Sequence, residues 1–196
     1  EGADERTGDG AGIMVQIPHE FILLQGIPVP EKGRYGVAMV FFPKDENDQY
    51  NCLDIFKQEI SKGGLNLITV RDVPVNSDVL GVLSAAAEPD IKQLFIKSEH
   101  YMTQEELEKT LYLVRRRVEL RVAQSDMATK DDFYVCSLST RVVIYKGMLT
   151  SGQLRRYYPD LSNNYFTSGL ALVHSRFSTN TFPKWKLAQP FRYVCH

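Results

Sequence analysis

Between Thr103 and Val122 the chain reads TQEELEKTLYLVRRRVELRV, and this run constrains the fold more than any other. Thr103 followed three residues later by Glu106 makes a capping box, and Leu107, Leu111, Val114, Val118 and Val122 recur at the spacing of a single helical stripe. A long helix with one apolar stripe buries that stripe against a core supplied by other elements. Successive residues on a helix point about 100° apart, so Arg115, Arg116 and Arg117 fan around it and form no common anion clamp. They are expected on a solvated face, where an Arg115/Glu119 pair contributes a few tenths of a kcal/mol.

Strand patterns supply the core. GDGAGIMVQIP (residues 8–18) reads as a glycine turn feeding a strand closed by Pro18, and YGVAMVFFP (residues 35–43) as a buried strand ended by proline. In QYNCLDIFKQEISKGG the apolar positions Cys52, Ile55, Phe56 and Ile60 have helical spacing, with Gly63 and Gly64 where a C-cap belongs. A strand is expected next, in LNLITVRDVPV. Further on, Phe133 to Leu138 and Arg141 to Tyr145 are β-branched and aromatic runs, and their spacing suits neighbouring antiparallel strands. SGQLRRYYPDL reads as a short helix opened by Ser151, and LALVH as an apolar strand running out of the core. Strands dominate both ends and helices the middle, which predicts an α+β, layered αββα arrangement and argues against strict βαβ alternation.

The chain has 196 residues, 43% hydrophobic and 24% charged, enough for one sizeable core and no linker marking a second domain. Lys and Arg total 23 against 24 for Asp and Glu, so no global pull toward nucleic acid or an anionic membrane is expected. Cys52, Cys136 and Cys195 lie far apart, without the spacing of a disulfide framework or a zinc ribbon. That usage suits a reducing cytoplasm. No apolar run approaches the roughly 18 residues of a membrane span, and EGADERTGDG lacks the regions of a signal peptide.

Few residues point to chemistry. GDGAG lacks the Lys-Ser/Thr ending of a phosphate loop and the strand-then-helix context of a dinucleotide fingerprint. His174, Cys195 and His196 are metal-capable, yet adjacent residues in a strand face opposite ways, so no shared ligand set follows. Cys136 or Cys195 as nucleophile would need a base that the sequence does not place, and buried structural thiols are the simpler reading. Arg176 differs: it follows the apolar LALVH run and precedes Phe177, Ser178 and Thr179. Its planar guanidinium fork fits a carboxylate, and the hydroxyls beside it could complete a site for a small zwitterion. An arginine tied to a surface acid fits the same residues.

TGDGAGI (residues 7–13), DFYVCSLSTRVVIYKGML (132–149) and HSRFSTNTFPKWKLAQPFR (174–192), with RDVPVN (71–76) and LYLVRRRVE (111–119) between them, resemble the N-terminal class II glutamine amidotransferase domain of the glutamate synthase large subunit. The resemblance spans the chain, and its last motif is the most specific. It implies an N-terminal-nucleophile hydrolase fold, a four-layer αββα sandwich. It implies hydrolysis of the side-chain amide of L-glutamine by an N-terminal cysteine, with an Asn-Gly oxyanion hole and the ammonia channelled to 2-oxoglutarate. By position, Arg176 matches the arginine gripping the glutamine α-carboxylate, Phe177 and Thr179 match the pocket lining, and Asp9 matches an acidic residue of structural role. FMN and an iron-sulfur cluster are implied elsewhere in the parent protein, together with a small NADPH-oxidising subunit or ferredoxin as electron source.

The departures matter as much. Glu1 is not cysteine, none of the three cysteines matches the nucleophile, and the Asn-Gly pair would follow His196. Residues 1–196 are therefore expected to be part of one such domain, lacking its N-terminal segment and the part after His196. These residues alone are expected to be inactive and, with strand edges unpaired, poorly stable. Two functions stand: the core of a glutaminase, or a non-catalytic module of the same fold that binds glutamine or a protein partner.

Overall fold

The computed structural model describes residues 7–175 and 183–192. They build a mixed α/β structure with two antiparallel sheets, as the layered pattern predicts. Strands β1 (Ala11–Gln16), β6 (Val142–Gly147) and β7 (Ala171–His174) form one sheet in the order β6-β1-β7. Strands β2 (Tyr35–Phe42), β3 (Leu65–Asp72), β4 (Asp90–Ser98) and β5 (Tyr134–Ser139) form the other in the order β3-β4-β2-β5. The short helices α1 (His19–Leu24), α3 (Val82–Ala86) and α5 (Ser151–Tyr157) accompany the long α2 (Glu46–Lys62) and α4 (Gln104–Ala123).

The all-apolar run of β2 is explained by its place between β4 and β5, buried on both faces. Tyr35, Val37, Met39 and Phe41 enter the core between the sheets with Val15, Val143 and Tyr145. Ala38, Val40 and Phe42 alternate to the opposite face, where they meet Cys52, Phe56 and Ile60 of α2 and Leu111, Val114 and Val118 of α4. Helix α4 lies so close to β2 that a Cβ at Gly36 would overlap Leu111. Its capping box is formed: Thr103 N–H donates to the Glu106 carboxylate at 2.8 Å, and Glu106 N–H donates to Thr103 Oγ1 at 3.3 Å. Helices and the two sheets thus make three successive layers. On the far face of the smaller sheet, Leu172 is exposed.

Three expectations are corrected. First, β5 and β6 are not ladder neighbours: β5 pairs with β2, and β6 pairs with β1 in the other sheet. Serine hydroxyls take up main-chain donors at the switch. Ser139 Oγ accepts from Arg141 N–H at 3.0 Å, and Ser137 Oγ accepts from Ile144 N–H at 3.1 Å, where a carbonyl of the neighbouring strand would otherwise serve. Second, Arg115 is not solvated: its side chain is 4% exposed and ion-paired to Glu119 at 2.9 Å, while Arg116 and Arg117 do face solvent. It adjoins Val114 and Val118 on the buried stripe and lies near the Tyr112 ring. Third, β7 is an exposed sheet edge, with Val173 62% exposed, although its sequence reads as core.

Candidate functional site

The glycine-rich turn feeds straight into β1 and opens no helix, so it offers no helix N-terminus to a phosphate. Asp9 is exposed on that turn between buried Gly8 and Gly10, and Gly10 needs its glycine at a φ of 141°. Gly8 abuts the Leu149 backbone so closely that any Cβ would overlap it. The turn is thereby clamped to the end of β6.

One cross-strand row organises the region beyond it. Gly12 of β1 stands opposite Lys146 of β6 on one side and His174 of β7 on the other. The chain leaves this row just after His174 and returns as residues 183–192, which lie back across it. A Cβ at Gly12 would overlap the Gln189 carbonyl and crowd Pro190, and a Cβ at Gly147 would overlap the Trp185 ring. These two glycines seat the returning segment against the sheet.

Side chains fasten it there. Trp185 is buried edge-on to Phe41, with its indole N–H donating to the Ser84 carbonyl at 3.0 Å. The Lys146 ammonium, 1% exposed as a residue, donates to the carbonyls of Lys186 at 2.9 Å and Ala188 at 2.7 Å. Burial pulls its pKa down to about 8. The rings of Tyr134 and Phe191 flank the ammonium at 4.6 and 4.9 Å. Arg192 pairs with Glu119 at 3.4 Å, stacks 5.0 Å from the Tyr134 ring and donates to the Val135 carbonyl.

Arg176, Phe177 and Thr179 lie outside the described residues, as do Cys195 and His196. The remaining thiols are structural. Cys136 is buried between the sheets and Cys52 on the inward face of α2, and burial pushes each thiol up to about 12, far from the thiolate a nucleophile needs. Among the described residues no three His, Cys, Asp or Glu side chains gather to hold a metal, and no helix is long and apolar enough to cross a membrane. An open cleft of about 470 Å³ lies between α2 and the end of α4, away from the row. Its Asp48 is engaged by Thr129, and its Arg121 by Glu59 and Gln58. No reactive set converges there.

Comparison with known proteins decides the family. The model of the class II glutamine amidotransferases matches residues 1–196. This chain belongs to the class II glutamine amidotransferases. Three relatives of the amidotransferase chain are glutamate synthases. A ferredoxin-dependent glutamate synthase of Antithamnion sp. is 41% identical over 202 residues, covering 100% of this chain and 13% of the relative. The NADH-type glutamate synthase of Saccharomyces cerevisiae is 41% identical over 99% of this chain and 10% of its own. The large chain of the NADPH-type enzyme of Azospirillum brasilense is 41% identical over 99% and 13%. The chain therefore spans only 10–13% of the length of these relatives.

Within the amidotransferase chain, sequence reasoning alone passed over Lys146. The available signal was a lone lysine inside the otherwise apolar and aromatic VVIYKGML run, where a strand buried on both faces leaves an ammonium no route to water.

Proposed function

We propose that this chain is the core of a glutaminase domain of a glutamate synthase, hydrolysing L-glutamine to glutamate and ammonia for transfer to 2-oxoglutarate. The observation that carries the reading is the family match along all 196 residues, together with 41% identity to three glutamate synthases differing in electron donor. In the reaction a cysteine thiolate attacks the side-chain amide carbon of glutamine. The tetrahedral oxyanion collapses to a thioester, ammonia leaves with a proton, and water hydrolyses the thioester to glutamate. Arg176 holds the substrate carboxylate through its two-pronged guanidinium, Phe177 and Thr179 line the pocket, and Asp9 has a structural role at the turn. The nucleophile and the Asn-Gly oxyanion donors belong to positions other than these 196. FMN and an iron-sulfur cluster, with ferredoxin or a nicotinamide-oxidising subunit as electron source, belong to the remaining part of such a synthase. The free thiols of Cys52 and Cys136 favour a reducing compartment such as the cytoplasm.

The test is glutamate release from glutamine by the full-length polypeptide that contains this chain, wild type against Arg176→Ala. Loss of the carboxylate clamp raises KM for glutamine by roughly 100-fold, the scale of a lost charge-assisted bidentate contact. An unchanged KM refutes the role of Arg176. Glutamine binding without turnover by the wild type means a non-catalytic binding module.

A further inference from the structure

Lys146 is an anomaly that the glutaminase reading does not absorb. Removing an ammonium from water costs several kcal/mol unless an opposite charge or a set of acceptors replaces the solvent. Among the described residues no carboxylate is paired with Lys146. Burial lowers its pKa, and of its titratable neighbours Cys136 works to raise it while Arg192 lowers it. A methionine would fill the same volume without that penalty. What the charge gains instead is two main-chain carbonyls, those of Lys186 and Ala188, and the faces of two rings.

Those carbonyls belong to the segment that returns over Gly12 and Gly147. Trp185, Lys186 and Arg192 fasten this segment through their own side chains, to Ser84, Asp131 and Glu119 respectively. Lys146 differs because it grips main chain. It reaches up from β6 and spans the end of the 3-10 turn Trp185–Leu187, fixing the segment's position along the strand. In sequence the segment is bounded by the RFST stretch on one side and the approach to His196 on the other.

We infer that Lys146 is a positioning residue for glutamine hydrolysis, a latch that holds residues 185–188 on the β1–β6 surface. The inference rests on the glutaminase reading for its consequence, though not for the latch itself. Once the two carbonyls are released, the segment slides on its glycine seat, and a displacement near 1 Å lowers the rate of a positioned reaction by roughly 100-fold.

The experiment uses the full-length polypeptide with Lys146→Met and Lys146→Arg, reading glutamate release, thermal unfolding and amide hydrogen exchange of the peptide covering 183–192. Lys146→Met is expected to lower kcat/KM for glutamine by roughly 100-fold and to speed exchange in that peptide at least tenfold, with β1 and β6 peptides still protected. Lys146→Arg, which keeps the charge and donors, should recover most of both. The proposal is overturned by unchanged exchange in the peptide, by kcat/KM within twofold of wild type in Lys146→Met, or by an arginine variant as impaired as the methionine one. Should Lys146→Met fail to fold, the arginine variant decides: near wild-type values support the latch, and a large loss with faster exchange in every strand alike refutes it. A wild type that releases no glutamate refutes the glutaminase reading, and the exchange measurements still decide the latch.

Discussion

Arg71 and Asp160 meet through two parallel hydrogen bonds of 2.8 Å, joining the end of β3 to the turn after α5 across 89 positions of sequence. Asp160 also accepts from the Tyr145 hydroxyl at 2.9 Å, and Gln93 binds both Arg71 and Tyr145. The network thus ties the edge of the larger sheet to β6 of the smaller one, with Asp160 only 4% exposed. Removing one partner strands a buried charge, so Asp160→Leu should lower stability by about 3–5 kcal/mol. The double change Arg71→Met with Asp160→Leu should lose less than Asp160→Leu alone. Urea unfolding of the three variants checks this, and a double variant less stable than the single one contradicts it.

Gly147 is held to glycine by a neighbour and not by its backbone. The six-membered ring of Trp185 occupies the space a Cβ would need, while the indole is fixed by Phe41, Tyr157 and its bond to Ser84. Gly147→Ala must therefore move the ring out of a packed site, at about 1–3 kcal/mol. Trp185 is the only tryptophan of the chain, so its emission reports the change directly. A red shift with the loss of stability is expected, and an unshifted spectrum would show that the seat is looser than the geometry implies.

Titration should limit stability at both ends of the pH scale. Thr129 hydroxyl and N–H groups hold the Asp48 carboxyl below the usual range, Lys62 and Arg121 do the same for Glu59, and the Thr103 N–H does so for Glu106. In each case the unfolded chain binds the proton more tightly. Their stabilisation is thus complete above the ordinary carboxylate pKa values near 4 and lost as the pH falls below them. Cys52 and Cys136 behave oppositely, since burial raises them to about 12. Their contribution is complete below about pH 9 and lost above it. Lys146, lowered to about 8, is penalised when charged, so its own term rises with pH from about 8 toward the ordinary lysine value. The urea midpoint should climb slightly between about pH 8 and 9 and then fall. Lys146→Met should abolish the climb and keep the fall, and a climb that survives in that variant assigns it to another group.

How far these features were legible depends on the range of the interactions. The capping box of Thr103 and Glu106 and the stripe from Leu107 to Val122 are local, and every residue of that stripe is buried as expected. Which of Arg115, Arg116 and Arg117 turns inward depends on where the helix sits on its sheet, a fact that i to i+4 spacing does not contain. The strand character of β5 and β6 is likewise local, whereas their assignment to different sheets goes with hydroxyls of Ser137 and Ser139 whose main-chain partners, Ile144 and Arg141, only the folded chain places beside them. Lys146 resembled any strand residue until its two carbonyl partners, 40 and 42 positions away, were placed beside it. Arg176 was singled out by a motif and by guanidinium chemistry, and its geometry lies outside the described residues.

The arch between β5 and β6 gives the sharpest test of how the chain changes sheets. Ile144 is fully buried and its N–H points at Ser137 Oγ, itself 2% exposed, so water has no access as a substitute partner. Ser137→Ala leaves that donor unsatisfied at about 1–3 kcal/mol, more than the loss expected for an exposed hydroxyl. Ser139→Ala should cost less, because Arg141, one of the two donors to its hydroxyl, is exposed and can turn to solvent. Denaturant unfolding of both variants, with exchange followed at Ile144, separates the cases. Rapid exchange at Ile144 in Ser137→Ala and slow exchange in Ser139→Ala is the expected pattern. Equal, small losses from both changes would mean that packing of Val143 and Tyr145, rather than the serine hydroxyls, directs the chain from one sheet to the other.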